Sequence, residues 1–472
     1  MHHDRERPRE RPSSRTSSNV RWRVDHEKGV LVSNFERRGW SRSEDEGEWN
    51  FYWASPHSIK QIFNPENNMR LADQQLVNHF PNHYELTRKD LMVKNLKRYR
   101  KELERVHAER AAELGITAPE LDFECMPTTF ILPTDFSLFA EEFRKNEHQK
   151  QMWIMKPTSK SKGIGIFIIT RLSQIRKWDN SRLQQGQTPK ENYVISRYIA
   201  DPLLIGGKKF DLRIYVLVLG YRPLKVYTYR KGFARFCAIN YTNAHDEIDN
   251  ELVHLTNVAI QKNSEEYARS AMGHGYKWSI KHLRSYIEGT RGTEAAEKLM
   301  EDIGWLIVHS LKACQNVMIH DRHCFECYGY DIMIDQQLKP WLLEVNASPS
   351  LSTTTTSDKL LKMQLIGELL DLVVPHQLEA GFGGFSEGTR RSYGGYGASG
   401  ATRPARPSAA AGSEASGGGD IGNFELLYDE NVELEAEKAR REAEARRKAA
   451  KGGLFTGGGR YSAAGSQGKA FV

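Results

Sequence analysis

The sequence predicts an α+β body carried between two low-complexity tails, and three observations lead there. Between residues 152 and 373, short β-rich runs alternate with stretches whose apolar residues keep helical spacing. Of the 38 glycines, 20 lie after residue 380, which marks that end as a tail. The chain has 472 residues, 39% of them hydrophobic and 27% charged, enough for two or three globular domains at ~100–200 residues each.

In chain order, residues 1–25 read as a disordered basic arm, because residues 1–23 hold seven Arg against three acids and almost nothing to bury. An N-terminal domain is expected over 26–125, with Trp40, Trp49, Phe51, Tyr52 and Trp53 as core or docking aromatics. A helix is expected over 87–114. Thr87 with Asp90 gives a start resembling a capping box, and Leu91, Leu96, Tyr99, Leu103 and Val106 keep roughly helical spacing. Nine Lys or Arg against four acids fall between 88 and 110, which is either a solvated face or a surface for an acidic partner.

A central domain is expected over 126–190, with strands at 152–156 and 164–169. A larger domain is expected over 191–380, with strands at 193–199, 212–219, 224–229, 329–334 and 341–345. Its helix over 293–314 presents Leu299, Ile303, Leu306, Ile307, Ser310 and Leu311 as a mostly apolar stripe, and a second helix covers 358–373. Beyond 381 the chain turns to Gly, Ser and Ala with scattered Arg, interrupted by an exposed charged helix near 431–451.

The net charge of +7 invites a nucleic-acid reading, but its distribution argues against one. The N-terminal arm carries +4 and the region after 380 carries +2, leaving 47 basic against 46 acidic residues in the body. The longest apolar runs, at 166–169 and 214–219, stop far short of the ~20 residues a membrane-spanning helix needs. Five cysteines are an odd set for a disulfide framework, and the Arg-rich N-terminus has no apolar core for a signal peptide, so a reducing compartment is expected. Cys324 and Cys327 spell C-x-x-C, but no second pair supplies zinc ligands, and buried thiols are expected.

Three segments carry chemistry. The first runs from Met152 through Lys156 and Lys162 to Gly163 and Gly165, then into a second β run. This strand, glycine loop, strand order is not the P-loop arrangement, in which the loop opens a helix. It can still fold over a triphosphate, since glycines admit backbone N–H groups to the oxygens and Lys156 adds a point charge; a structural glycine turn is the other reading.

The second segment is a hairpin, 329–335 and 340–346. If Asp335 pairs with Pro340, Asp331 falls opposite Glu344, and Asn346 shares the face of Glu344. Two carboxylates and an amide oxygen gathered so suit Mg²⁺, because like charges repel unless a cation sits between them; solvated acids on an antiparallel face are the alternative. The third segment alternates Lys209, Asp211 and Arg213 on one face. Arg213 has the planar fork that suits phosphoryl oxygens, but an ion pair within the sheet would look the same. Upstream, the run 193–199 is either an edge for an adenine or a plain buried strand.

The order of these motifs, Lys-Pro before a glycine loop, then YVISRYI, KKFDLR, VHLTNV, and finally YGYDIMID with WLLEVNASPSL, resembles the tubulin tyrosine ligase-like family over residues 50–375. The resemblance implies an ATP-grasp fold and, within the family, a tubulin polyglutamylase. Carried over by position, it assigns ATP to Lys156, Lys162, Gly163, Ser196, Arg197, Tyr198, Ile199, Lys209, Phe210, Asp211, Thr256 and Asn257. It assigns Mg²⁺ to Asp331, Glu344 and Asn346, and the incoming glutamate to Arg235 with Lys277; Arg213 and Arg235 are the expected catalytic cations.

The implied reaction phosphorylates a glutamate side chain in an acidic tubulin tail, after which free glutamate forms the amide. The implied partners are tubulin and microtubules, with accessory subunits, and neither nucleic acid nor membrane. The implied setting is the cytoplasm and cytoskeleton, at the axoneme and basal body of a cilium or flagellum. A glycylase on the same fold and a non-catalytic microtubule scaffold are the competing expectations.

Overall fold

The strand Lys208–Tyr221 organises the body, because its alternation sends apolar side chains to both faces of the largest sheet. Leu212, Ile214, Val216 and Val218 enter one core and Tyr215 and Leu217 the other. Against the first packs the helix Thr293–Gln315, through Leu299, Ile303, Leu306, Ile307 and Leu311. Against the second pack the helices Gly29–Arg37, through Val30, Leu31 and Phe35, and Thr356–Val373, through Leu365, Ile366 and Leu369. Each such side chain contributes roughly 1.5–3 kcal/mol by leaving water.

This computed structural model describes residues 20–45, 47–113, 116, 123–178, 191–265, 276–353, 355–374 and 421–453. Most of the expected arm and tail lie outside the described residues, as does most of the loop that precedes Lys277.

Among the described residues there are three sheets. In the eight-stranded one, Glu326–Ile334 runs antiparallel along one edge of the long strand and pairs in turn with Pro340–Asn346. The other edge carries Phe233–Phe236 and Leu224–Tyr229. Lys277–Ser279 extends it beyond the former and Phe424–Asp429 beyond the latter. A second, antiparallel sheet has the order Thr129–Leu132, Tyr193–Arg197, Trp153–Pro157, Phe167–Ile169. Trp153 is buried in its core against Phe139 of the helix Phe136–Lys145. The third sheet is parallel: Ser41–Arg42, Arg21–Val24, Phe51–Trp53, Leu76–Val77.

Several expectations need correction. Arg21–Val24 is a strand, not part of a disordered arm, because Trp22 is buried against Phe35. The strand Tyr193–Arg197, expected to open the larger domain, instead pairs within the second sheet, between Thr129–Leu132 and Trp153–Pro157. The region expected as tail supplies the strand Phe424–Asp429, whose Phe424 is buried against Tyr229. Its neighbour Asn423 donates from its backbone N–H to one Glu368 carboxylate oxygen and from its side-chain nitrogen to the other.

From Asp429 the chain forms a second unit. It contains the helix Glu430–Gly453, where a charged helix was expected near 431–451, and Val432 and Leu434 on it are exposed. All five cysteines are free and buried. Cys324 sits in one core and Cys327 in the other, on opposite sides of the main sheet, which rules out their pairing. Among the described residues no helix is long and apolar enough to cross a membrane.

Candidate active site

The hairpin brings the two carboxylates together by a different register from the one expected. Ile334, not Asp335, pairs with Pro340, and Ile332 pairs with Leu342; the ladder then slips so that Asp331 faces Glu344 and Gly329 faces Asn346. The residue left over is Leu343. Without this bulge Glu344 would point to the opposite face of the sheet. Asp335 instead closes the turn, accepting from the backbone N–H of Gln337 and Lys339 and from Trp341 Nε1.

Beside the hairpin, across the neighbouring strands, lies a buried charge network. Arg213 grips Asp331 with both arms of its fork, Nε to Oδ1 at 2.5 Å and Nη2 to Oδ2 at 3.0 Å. Arg235, opposite Asp211 in the register, donates Nε to Asp211 Oδ1 at 2.8 Å and lies 2.9 Å from Asp331 Oδ2 through Nη2. Burial works to raise the Asp331 pKa, but Arg213 and Arg235 overcome it and hold the carboxyl well below its usual range. Of the two readings left open for Arg213, the structure shows the ion pair.

In front of the hairpin a cleft opens between the two large sheets. Of the expected residues it is lined by Lys156, Lys162, Gly163, Ser196, Arg197, Tyr198, Ile199, Lys209, Asp211, Thr256, Asn257, Asp331 and Glu344. Its apolar walls include Ile154, Ile166, Met333 and Leu342. Lys156 stands at the end of its strand, and burial pushes its pKa down to about 8 against the opposing pull of Glu344. Gly163 and Gly165 take φ of +83° and +75°, a conformation that favours glycine, and a Cβ at Gly163 would meet Ile260 Cδ1 at 2.5 Å. The glycine loop is thereby seated on the segment that carries Thr256 and Asn257.

Lys209 is only 2% exposed and donates to the Tyr198 hydroxyl at 2.9 Å and the His254 carbonyl at 3.1 Å. Tyr198 in turn bonds His254 Nδ1 at 2.7 Å, and His254 Nε2 meets the Glu247 carbonyl at 3.0 Å. With the carbonyl fixing the proton on Nε2, Nδ1 is the acceptor. Burial lowers the Lys209 pKa to about 8, and burial with the Lys209 charge lowers His254 to about 4.

Other expected residues do not line the cleft. Phe210 is a correction: alternation along the strand turns it away from Lys209 and Asp211 into the helix-side core, where it is 1% exposed and 5.1 Å from the Phe236 ring. Lys277 pairs in register with Arg235 and lies over the Phe233 ring, with its pKa lowered by burial. Asn346 puts its nitrogen on the Gly329 carbonyl at 3.3 Å. The expected basic helix is Lys89–Glu113, and Arg98 within it donates to the Ala313 carbonyl, so that cation is engaged structurally rather than held for a partner. Sequence reasoning missed Lys89, whose Nζ lies 2.9 Å from Glu344 Oε2, because no local pattern links residues 255 positions apart.

Comparison with known proteins places the chain in a family. A profile described as the tubulin-tyrosine ligase family matches residues 66–380. The probable alpha-tubulin polyglutamylase Ttll1 of Tetrahymena thermophila is 50% identical over 364 residues, covering 76% of this chain and 87% of that protein. The probable tubulin polyglutamylase TTLL9 of Bos taurus is 44% identical over 367 residues, 71% of this chain and 76% of that one. The Caenorhabditis elegans protein ttll-9, also a probable tubulin polyglutamylase, is 38% identical over 337 residues. On the extent of these matches, the chain belongs to the tubulin-tyrosine ligase family.

Proposed function

We propose that the chain is an ATP-dependent tubulin polyglutamylase of ATP-grasp architecture, a ligase that joins free glutamate to glutamate side chains in tubulin tails. The observation that carries this reading is the cleft itself. Buried lysines, a glycine loop and two opposed carboxylates line one cavity in a chain whose relatives are named polyglutamylases.

In this reading the adenine lies against Ile154, Tyr198 and Leu342, and the phosphates meet Lys156, Lys209 and the backbone around Gly163. An acceptor carboxylate oxygen attacks the γ-phosphorus while the bond to the ADP oxygen breaks. The amine of free glutamate then attacks the acyl carbon, phosphate leaves, and an amide remains. Little covalent work falls to the protein, so its cations and dipoles carry the catalysis.

The donor set at the hairpin fits a hard divalent cation: Glu344 and Asp331 offer carboxylates, and Asn346 keeps its amide oxygen available, while phosphate oxygens and water complete such sites. Mg²⁺ held there would neutralise charge on the transferring phosphoryl group. Arg213 and Arg235 fix Asp331 in place, and Arg235 with Lys277 is the expected seat of the incoming glutamate carboxylate. The proposed setting is the ciliary or flagellar axoneme and basal body, with accessory subunits, which imaging and purification of the tagged chain test.

The deciding assay supplies the purified chain with ATP, Mg²⁺, tubulin and labelled glutamate or glycine, followed by mass spectrometry of the tails. Glutamate on tail glutamates is expected, and Glu344→Gln should abolish it while microtubule binding persists. Glycine incorporation alone would overturn this reading in favour of a glycylase, and cellular function surviving Glu344→Gln would favour a scaffold.

A further inference from the structure

We infer that Lys89 binds the acceptor, its ammonium taking the side-chain carboxylate of the tail glutamate that is to be phosphorylated; this rests on the polyglutamylase reading above. Two anions, the γ-phosphate and the acceptor carboxylate, have to approach each other in the cleft, and each needs a cation of its own. Most of the cations near the site are already committed. Arg213 is bidentate on Asp331, Arg235 is spread over Asp211 and Asp331, and Lys209 bonds Tyr198 and the His254 carbonyl. Lys156 and Lys162 belong to the strand end and the glycine loop, on the side where the phosphates are placed.

Lys89 differs from these in origin and in what it holds. It opens the helix Lys89–Glu113 and is the one charged side chain that the chain before residue 125 contributes to the cleft among the described residues. It is 9% exposed, and its Nζ lies 2.9 Å from Glu344 Oε2 and 3.4 Å from the Lys160 carbonyl in the glycine loop. Its positive charge therefore rests on the carboxylate expected to hold the metal. A divalent cation binding Glu344 competes for the same oxygen and turns the ammonium, on its flexible four-carbon stem, toward the cleft. Metal loading and acceptor binding are then coupled, and such coupling is reciprocal.

The test uses the full chain with a fluorescent acidic peptide of consecutive glutamates, read by anisotropy with a non-hydrolysable ATP analogue, with and without Mg²⁺. Mg²⁺ should tighten peptide binding to the unaltered protein. Lys89→Met should remove that enhancement and raise the peptide KM roughly 10- to 100-fold, the loss expected for one hydrogen bond to a charged group, with the KM for ATP little changed. Lys89→Arg should recover part of the loss. Peptide binding indifferent to Mg²⁺ in the unaltered protein, an unchanged peptide KM in Lys89→Met, or a parallel rise in both KM values would each overturn the inference. If the unaltered protein transfers glutamate and Lys89→Met matches it, this inference alone falls. If the unaltered protein transfers none to peptide or tubulin, the polyglutamylase reading falls and takes this inference with it.

Discussion

The hairpin network and the helix Lys89–Glu113 are both dense in charge, and they use it in opposite ways. Beside the hairpin, the Arg213, Asp331, Arg235 and Asp211 side chains are at most 13% exposed and each carboxylate is gripped by a guanidinium fork. Along the helix, Arg100 pairs with Glu104, and Arg105 with Glu102 and Glu109, at side-chain exposures near one half. Arginine–carboxylate pairs are held rigidly where water is excluded and cost a great deal to break there; on the helix they exchange freely with solvent and salt.

The largest expected effect comes from Asp331→Ala, which leaves Arg213 and Arg235 buried without their shared partner. Glutamate incorporation should vanish and stability should fall by about 3–5 kcal/mol, read by denaturant unfolding. A loss no greater than that of a helix variant would erase the contrast between the two regions.

Next comes a pH dependence confined to the cleft. Lys156 and Lys209 have pKa values near 8, so nucleotide affinity should weaken about tenfold per lysine between pH 7 and 9, as each loses its proton. Stability should move the other way. These lysines bind fewer protons folded than unfolded between about pH 8 and 10.5, so their contribution to stability rises as pH climbs through that window. Lys209→Arg should remove its share of the affinity loss in a titration of nucleotide binding. An affinity flat across this range would mean that neither lysine meets the phosphates.

A smaller effect is expected from Lys94→Glu combined with Lys97→Glu. Lys94 is exposed, and Lys97 is half exposed beside Asp135 at 3.2 Å. Co-sedimentation with microtubules should weaken several-fold, and more at low salt than at high. Unchanged binding would reduce the helix to a solvated face. Least of all, Arg105→Ala should leave melting temperature and glutamate incorporation within experimental error, because its partners are equally exposed.

Much of this was legible locally. The apolar stripe of the helix Thr293–Gln315 and the strand Leu224–Tyr229 follow from spacing alone, and two-residue alternation already points to Asp331 and Glu344 as a facing pair. The alternation argument reached the right pair through the wrong register, since a bulge at Leu343 leaves no signature in composition. Phe210 was misplaced because the resemblance names whole segments, whereas alternation sends every second residue to the core. Lys89 was invisible because its role depends on a contact with Glu344 made only in three dimensions. Arg21–Val24 and Phe424–Asp429 were hidden by their charged and Gly-rich surroundings, yet Trp22 and Phe424 fill the cores of distant elements.

The strand Phe424–Asp429 also has a consequence in time. Every other strand of its sheet has left the ribosome by Asn346, and this one follows some 80 residues later. At ~5–20 residues per second, the flank of Leu224–Tyr229 waits on the order of 4–16 s for its neighbour to be synthesised. Throughout that interval the nascent chain presents an open row of backbone donors and acceptors beside Tyr229, the kind of edge that invites pairing with another chain. Translation stopped short of residue 421 would therefore release a product carrying the whole cleft together with a permanently adhesive flank.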